Sequence, residues 1–378
     1  MKHPHSAIAM PARQSGFTLI ELMIGVVLGM LTVLVITQVT VQAESRKRTV
    51  SMGSDAQING SLSLFALQRD LQMAGYGAAA APGALGCTVT GQYDASGEPF
   101  SFTLAPVVIS DGVDGAPDSI TVLQARKQSF SVPIPITENH TQTGNYFVVD
   151  SSLGVAVNDV MIAVPKAQSG TTQCALFNVA ADTSASNTTL SASRIPHVTG
   201  SSDYAKWNQS NVFPTAGYES GSYLLNLGNM AQQTYSVDAN QNLTLTARSA
   251  ANGLQASFEL YPQIVNLQAL YGKDTGTDGV VDVYNTTAPT NSAEWGKVLT
   301  IRLVVVARSN QYEKEEVTPS APQWDVGASV TVEGETLTDC HGSSQCIALK
   351  VDGLTDWKHY RYKVYETIVP LRNVLWNS

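Results

Sequence analysis

The sequence predicts an α+β protein: a long amino-terminal helix whose distal half packs on a β-rich globular head. Three observations predict it. Residues 17–41 form an apolar run with a single charge, Glu21. A helical pattern then continues without proline to about residue 74. From about residue 78 the composition changes to Ser, Thr, Asn, Gly and Val, with short apolar runs between turn residues, the pattern of short strands.

The apolar run reads FTLIELMIGVVLGMLTVLVITQVTV. At ~1.5 Å of rise per residue it is long enough to cross a ~30 Å hydrocarbon layer. Gly25 and Gly29 lie four apart, a spacing that allows close helix packing and that also occurs by chance in membrane helices. Beyond it, Ile58, Leu62, Phe65 and Leu71 recur at roughly helical spacing and are expected to face the head. Ala74-Gly75-Tyr76-Gly77 supplies the stop signal.

In the head, strands are expected at 100–109, 119–125, 146–149, 160–164, 175–179, 241–246, 256–261, 297–308 and 359–369, with 263–271 open between strand and short helix. The clearest is KVLTIRLVVVAR at 297–308. Ile301, Leu303 and Val305 share one face, opposite Arg302, Val304 and Val306, so both faces should be covered. Residues 180–221, rich in Ser, Thr and Asn, read as long loops.

Composition narrows the function. The chain has 378 residues, enough for a sizeable core, with 22 Lys and Arg against 31 Asp and Glu and a formal net charge of −9. Phosphate binding needs clustered cations, so no nucleic-acid partner is predicted. The sequence holds no G-x-S-x-G, H-E-x-x-H or phosphate-binding Gly-Lys loop, and its six histidines are scattered. No enzyme is predicted. Four cysteines, Cys87, Cys174, Cys340 and Cys346, read as two disulfides in an exported chain. Three pairings exist; the short separation favours Cys340 with Cys346, leaving Cys87 with Cys174. Zinc is disfavoured, because there is no C-x-x-C spacing and no nearby His pair.

One loop carries ligand chemistry. In Asp274-Thr275-Gly276-Thr277-Asp278-Gly279-Val280-Val281-Asp282, carboxylates Asp274, Asp278 and Asp282 and the Val280 carbonyl fall at positions that a calcium (Ca2+) loop uses. The third position is Gly276 and the twelfth is Asn285, so ligands are missing. The competing reading is a turn between two strands, where Asp-Gly is expected.

Glu21 is the residue that a plain membrane anchor leaves unexplained, since a carboxylate in hydrocarbon is costly. A cleaved secretory signal ending at Val41-Gln42-Ala43 is also at odds with it, and with the length of the run. Flanking charges, Lys2 and Arg13 before the run and Arg46-Lys47-Arg48 after it, assign no orientation. Glu44 and Arg48 have the favourable i,i+4 order for pairing.

Gly16-Phe17-Thr18-Leu19-Ile20-Glu21 resembles the processing site of type IV prepilins. The resemblance implies cleavage between Gly16 and Phe17 by a prepilin peptidase, N-methylation of Phe17, and pairing of Glu21 with the terminal amine of a neighbouring subunit. Two further stretches, FALQRDLQMAGYG at 65–77 and YRYKVYETIVPLRN at 360–373, resemble the PilW family of minor pilins, which is related to the J-type minor pseudopilins of type II secretion. Between about 90 and 255 the resemblance is thin. It implies a type IV pilin-like fold with a leader at 1–16, a transmembrane half-helix at 17–41, an amphipathic half at 42–76 and a head at 77–378. It also implies a subunit held in the inner membrane with a periplasmic head, then carried to the pilus surface. Its partners would be other minor pilins, the major pilin and a large tip adhesin, in a complex that primes polymerisation. Two alternatives stand beside that role: a J-type pseudopilin, or a tip module binding surfaces or DNA through the 180–221 loops.

Overall fold

A computed structural model describes residues 16–127, 132–168, 173–181, 190–199, 204–250 and 253–375. The leader before Gly16, the pairing of Glu44 with Arg48, and parts of the 180–221 segment lie outside what it describes. The chain forms two compact units, one up to Ser54 and one from Asp55 onward. A single helix, Leu19–Gln72, contributes to both. In the first unit its side chains from Leu19 to Glu44 are exposed.

In the second unit, residues 55–72 of the helix enter one apolar cluster with two five-stranded sheets. One sheet runs Gln255–Pro262, Asn242–Arg248, Ala231–Val237, Ser119–Gln124, Val107–Ser110, antiparallel throughout. The other runs Thr331–Glu333, Val283–Asn285, Ile264–Lys273, Val298–Arg308, Tyr362–Pro370. All its pairs are antiparallel except the outer one, 283–285 with 331–333. The segment that periodicity left open is therefore a strand, Ile264–Lys273, buried along nine of its ten residues.

The strand Val298–Arg308 has its two faces in different cores. Ile301, Leu303, Val305 and Ala307 join the helix and the first sheet. Val304 and Val306 join a second cluster with Trp324, Val326 and Ile347 of a small three-stranded sheet and with Leu349 just beyond it. A side chain on either face thus meets apolar neighbours, which is why a largely apolar run rich in β-branched residues is stable there.

The helix face that packs is not the face the sequence suggests. Ile58, Leu62 and Phe65 point outward, 51%, 44% and 63% exposed, and only Leu71 of the expected stripe is buried. The inward face is Ala56, Gly60, Ser63, Leu67 and Leu71. Small residues win because the helix lies close to the sheet: a Cβ on Gly60 would sit 2.2 Å from Tyr365 Cε2 and 3.0 Å from the Ala307 Cβ. Ser63 is tolerated in this core because its hydroxyl donates to the Asn59 carbonyl at 2.6 Å.

A six-stranded sheet carries the rest: Phe100–Thr103, Thr88–Gly91, Cys174–Asn178, Val160–Val164, Tyr223–Gly228, Ile134–Pro135. The strand expected at 100–109 is two strands, and they belong to different sheets. Pro106 explains the break, since it has no N–H to give a ladder. The 180–221 segment is only partly loop. Its described residues include the strand Arg194–Pro196 and two short 3-10 turns, and they bury Ile195, His197, Trp207, Val212, Phe213 and Tyr218.

Asp118, at the foot of the strand Ser119–Gln124, is nearly fully buried. It accepts from Gly112 N at 2.9 Å and Ala269 N at 2.7 Å, tying the preceding loop to the strand Ile264–Lys273. Burial pushes its carboxyl up to about 7, the charges of Asp111 and Glu335 add to this, and the two N–H donors oppose it.

Two outcomes are expected. Gly60→Val replaces contact with overlap and should cost about 1–3 kcal/mol in denaturant unfolding; an unchanged midpoint would show that the helix does not pack so closely. Asp118 keeps its proton in the native state between about pH 4 and about 7, where the unfolded carboxylate has lost its own. Its contribution to stability is full below about pH 4 and declines as pH rises to about 7. Asp118→Asn should abolish that decline, as read by urea unfolding across this pH range.

Candidate assembly site

The helix begins with a reciprocal cap. Thr18 Oγ1 accepts from Glu21 N at 3.3 Å, while Glu21 Oε2 accepts from Thr18 N at 3.1 Å and from Thr18 Oγ1 at 2.9 Å. This is a capping box, Thr-x-x-Glu, in which two N–H groups left over at a helix start are satisfied by side chains. In the single chain, Glu21 is thus held by the backbone three residues before it.

Behind the cap, Leu19–Glu44 is long and apolar enough to cross a membrane by length and composition, 26 residues that include an 18-residue stretch with a mean hydropathy of 2.7. Its threonines do not present free hydroxyls. Thr32, Thr37 and Thr40 donate to the carbonyls of Leu28, Val33 and Ile36 at 2.7, 2.8 and 2.8 Å. Such back-bonding satisfies a polar group where water is absent. Among the described residues, and apart from the helix's own adjacent backbone, nothing lies within 4 Å of a Cβ built on Gly25 or Gly29.

At its other end the helix is locked into the head. Asp70, buried, accepts from the Tyr235 hydroxyl, and its other oxygen accepts from Arg69 Nε at 3.0 Å. Gly75, at φ +77°, turns the chain so that its N–H donates to Leu123 O at 2.8 Å, and Ala125 N donates to Tyr76 O at 2.8 Å. A side chain at Gly75 would also crowd the Pro106 ring. Asn373 Nδ2 donates to Ala74 O at 3.0 Å. The two stretches that resemble one family, near 65–77 and 360–373, therefore meet at the helix end.

Two disulfides are present, Cys87–Cys174 and Cys340–Cys346. The first joins the parallel strands Thr88–Gly91 and Cys174–Asn178; the second closes a hairpin in the three-stranded sheet.

In the 274–282 loop the carboxylates serve the backbone. Asp274 accepts from the N–H groups of Thr277, Asp278 and Gly279, and Asp278 accepts from Val280 N at 2.9 Å. Asp282 Oδ2 accepts from Thr275 N, Thr275 Oγ1 and Gly276 N at 2.7, 2.8 and 2.7 Å, which hold its carboxyl below the usual range. Among the described residues these three carboxylates do not gather within the span of one ion. The geometry is that of a turn closed by Asp side chains between Ile264–Lys273 and Val283–Asn285.

Sequence reasoning missed one convergence. His140 and His197 meet Nε2 to Nε2 at 2.8 Å, both buried, beside Phe147, Phe213 and Phe177. Burial pushes them down to about 4 and about 3, so near neutrality the pair is uncharged, one ring donating and the other accepting. No spacing along the chain signals it.

Comparison with known proteins follows this geometry. Residues 234–373 match the family model described as type IV pilus-assembly protein W, and residues 11–37 match the prokaryotic N-terminal methylation motif. No curated protein matches the chain in sequence. Among solved structures, a type IV-like pilin from Thermus thermophilus aligns over 83% of this chain and 95% of its own, at 10% identity and a TM-score of 0.31. That likeness is too distant to add to the assignment. The methylation motif contains the capped Glu21 and the start of the apolar helix. The assembly-protein match contains Tyr235 and Asn373, which hold the helix end. The carboxy-terminal part of the chain thus matches the PilW type IV pilus-assembly family and its amino terminus carries the methylation motif, which together mark a prepilin-like protein with a structural rather than an enzymatic role.

Proposed function

We propose that this protein is a minor pilin that joins other minor pilins in a tip complex priming polymerisation of the major pilin. A prepilin peptidase would cut between Gly16 and Phe17, and Phe17 would be N-methylated. The observation that carries the reading is Glu21. It stands in the first turn of a 26-residue apolar span, held among the described residues by Thr18. The cap satisfies hydrogen bonds but leaves a net charge, and a charge in hydrocarbon calls for a cation. Cleavage before Phe17 creates one, the new terminal amine, and the amine of a neighbouring subunit is the partner we assign to Glu21. The outward stripe Ile58, Leu62 and Phe65 supports the same role, giving the helix an apolar face beyond the membrane for lateral packing. The inner membrane would hold the subunit before assembly, and a large adhesin would be carried at the tip.

Mass spectrometry of the chain from native membranes should show an amino terminus at Phe17 carrying one methyl group. A terminus at Glu44 would mean ordinary secretion and end the proposal. Glu21→Gln and Phe65→Asp should both leave a cleaved, folded, membrane-held chain, and each should lower the fraction recovered in sheared pili by at least about tenfold, the equivalent of roughly 1.4 kcal/mol. Normal recovery of both variants would exclude assembly through this helix.

A further inference from the structure

The hairpin at 337–348 brings together side chains that the assembly role does not use. Its strands Leu337–Asp339 and Gln345–Ala348 pair antiparallel with Thr338 opposite Cys346. The turn is closed by Cys340 N donating to Ser344 O at 3.1 Å and Ser344 N donating to His341 O at 3.0 Å. On the other side, the strand Gln323–Gly327 places Asp325 opposite Cys346. One ligand atom each from Asp325, Cys340, His341 and Cys346 lies within 4.8 Å of the other three.

The donor set and its support fit one class of ion. Tetrahedral zinc, with bonds of about 2.3 Å to sulfur and about 2.0 Å to nitrogen or oxygen, holds its ligand atoms roughly 3.3–3.8 Å apart. His341 Nδ1 and Asp325 Oδ2 are already 3.9 Å apart. Asp325 Oδ1 accepts from Gly327 N at 2.9 Å, which orients the carboxylate and leaves Oδ2 to the site. Two thiolates with an imidazole favour zinc over calcium or magnesium. No zinc spacing is visible along the chain because two of the four ligands lie outside the cysteine pair's own pattern: His341 follows Cys340 directly, and Asp325 arrives from the neighbouring strand.

We propose that this hairpin is a redox-gated zinc site. Oxidised, Cys340 and Cys346 form the disulfide and staple the turn. A thiol or phosphine reductant supplies two electrons, the S–S bond breaks, and each sulfur takes a proton. Zinc then displaces both protons, forms two Zn–S bonds, and is completed by neutral His341 Nδ1 and Asp325 Oδ2. The ion replaces the covalent staple, so the three-stranded sheet keeps a cross-link in either state.

The test uses full-length protein in detergent, reduced with a phosphine that is then removed without air, and titrated with cobalt(II) or zinc(II). The expected result is one ion per chain after reduction and none before. Cobalt should show thiolate charge-transfer absorption and the strong visible bands of a tetrahedral site. Cys340→Ser with Cys346→Ser should abolish these bands, which keeps the separate, buried Cys87–Cys174 pair out of the reading. His341→Ala and Asp325→Asn, at exposed positions, should weaken binding by at least roughly tenfold. No binding after reduction overturns the proposal, as does unchanged affinity in both His341→Ala and Asp325→Asn. Where reduction alone unfolds the chain, zinc present during reduction should preserve its circular dichroism in the wild type and fail to do so without Cys346; equal unfolding of the two would also overturn it.

Discussion

The close approach of the helix to the strand Val298–Arg308 is the contact on which the larger unit is organised. That strand is shared by two cores: its helix side meets the other five-stranded sheet, and its far side meets the three-stranded sheet around Trp324. Gly60 over Ala307 and Tyr365 lets the helix come close enough for Leu67 and Leu71 to reach the common cluster. A bulky residue there would separate the layers, and tightly packed interiors lose contact energy quickly with such gaps. Both sheets therefore take their spacing from small residues on the helix, and the large apolar residues of the same segment are left facing outward.

Polar contacts then fix the helix axially. Burying Asp70 is costly unless its oxygens are satisfied, and Tyr235 and Arg69 satisfy them. The end of the helix is held by backbone bonds to the strand Ser119–Gln124 and by the Asn373 amide. A hydrogen bond has a defined length and direction where an apolar contact does not. These few bonds set the register of the helix against sheets that packing alone would allow to slide.

Much of this was legible. The apolar helix, its stop at Gly75, and the strands at 160–164 and 298–308 follow from periodicity and β-branched composition, because burial on one or both faces dictates those patterns directly. What was not legible has specific causes. The stripe Ile58, Leu62 and Phe65 has helical spacing, but periodicity says which residues share a face and not which face turns inward. The strand Ala231–Val237 has the expected alternation of burial, yet Gln233 occupies an inward position beside Gln124 and hides it. In the Asp274–Asp282 loop, spacing alone does not distinguish carboxylates turned toward an ion from carboxylates turned onto backbone N–H groups; only the fold of the loop decides. The capping box was written in Thr18-x-x-Glu21, but the same letters also carry the processing motif.

That double use of Glu21 bears on assembly. A carboxylate capping its own helix has its hydrogen bonds met and resists leaving them, so the cap stabilises the unassembled chain as well as any assembled one. Pairing with a neighbour's amine adds a term only the assembly has, because neutralising the charge in a low-dielectric layer is worth far more than one more hydrogen bond. Thr18 and the amine therefore need not exclude each other: one oxygen, Oε2, takes both bonds of the cap that involve the carboxylate, and Oε1 takes neither of them. Replacing Glu21 with Gln keeps an oxygen for the cap and removes the charge, so it separates the two roles, whereas Ala removes both at once. A subunit that keeps its helix start but has lost its charge should still fold and insert, and should fail only where two subunits must meet.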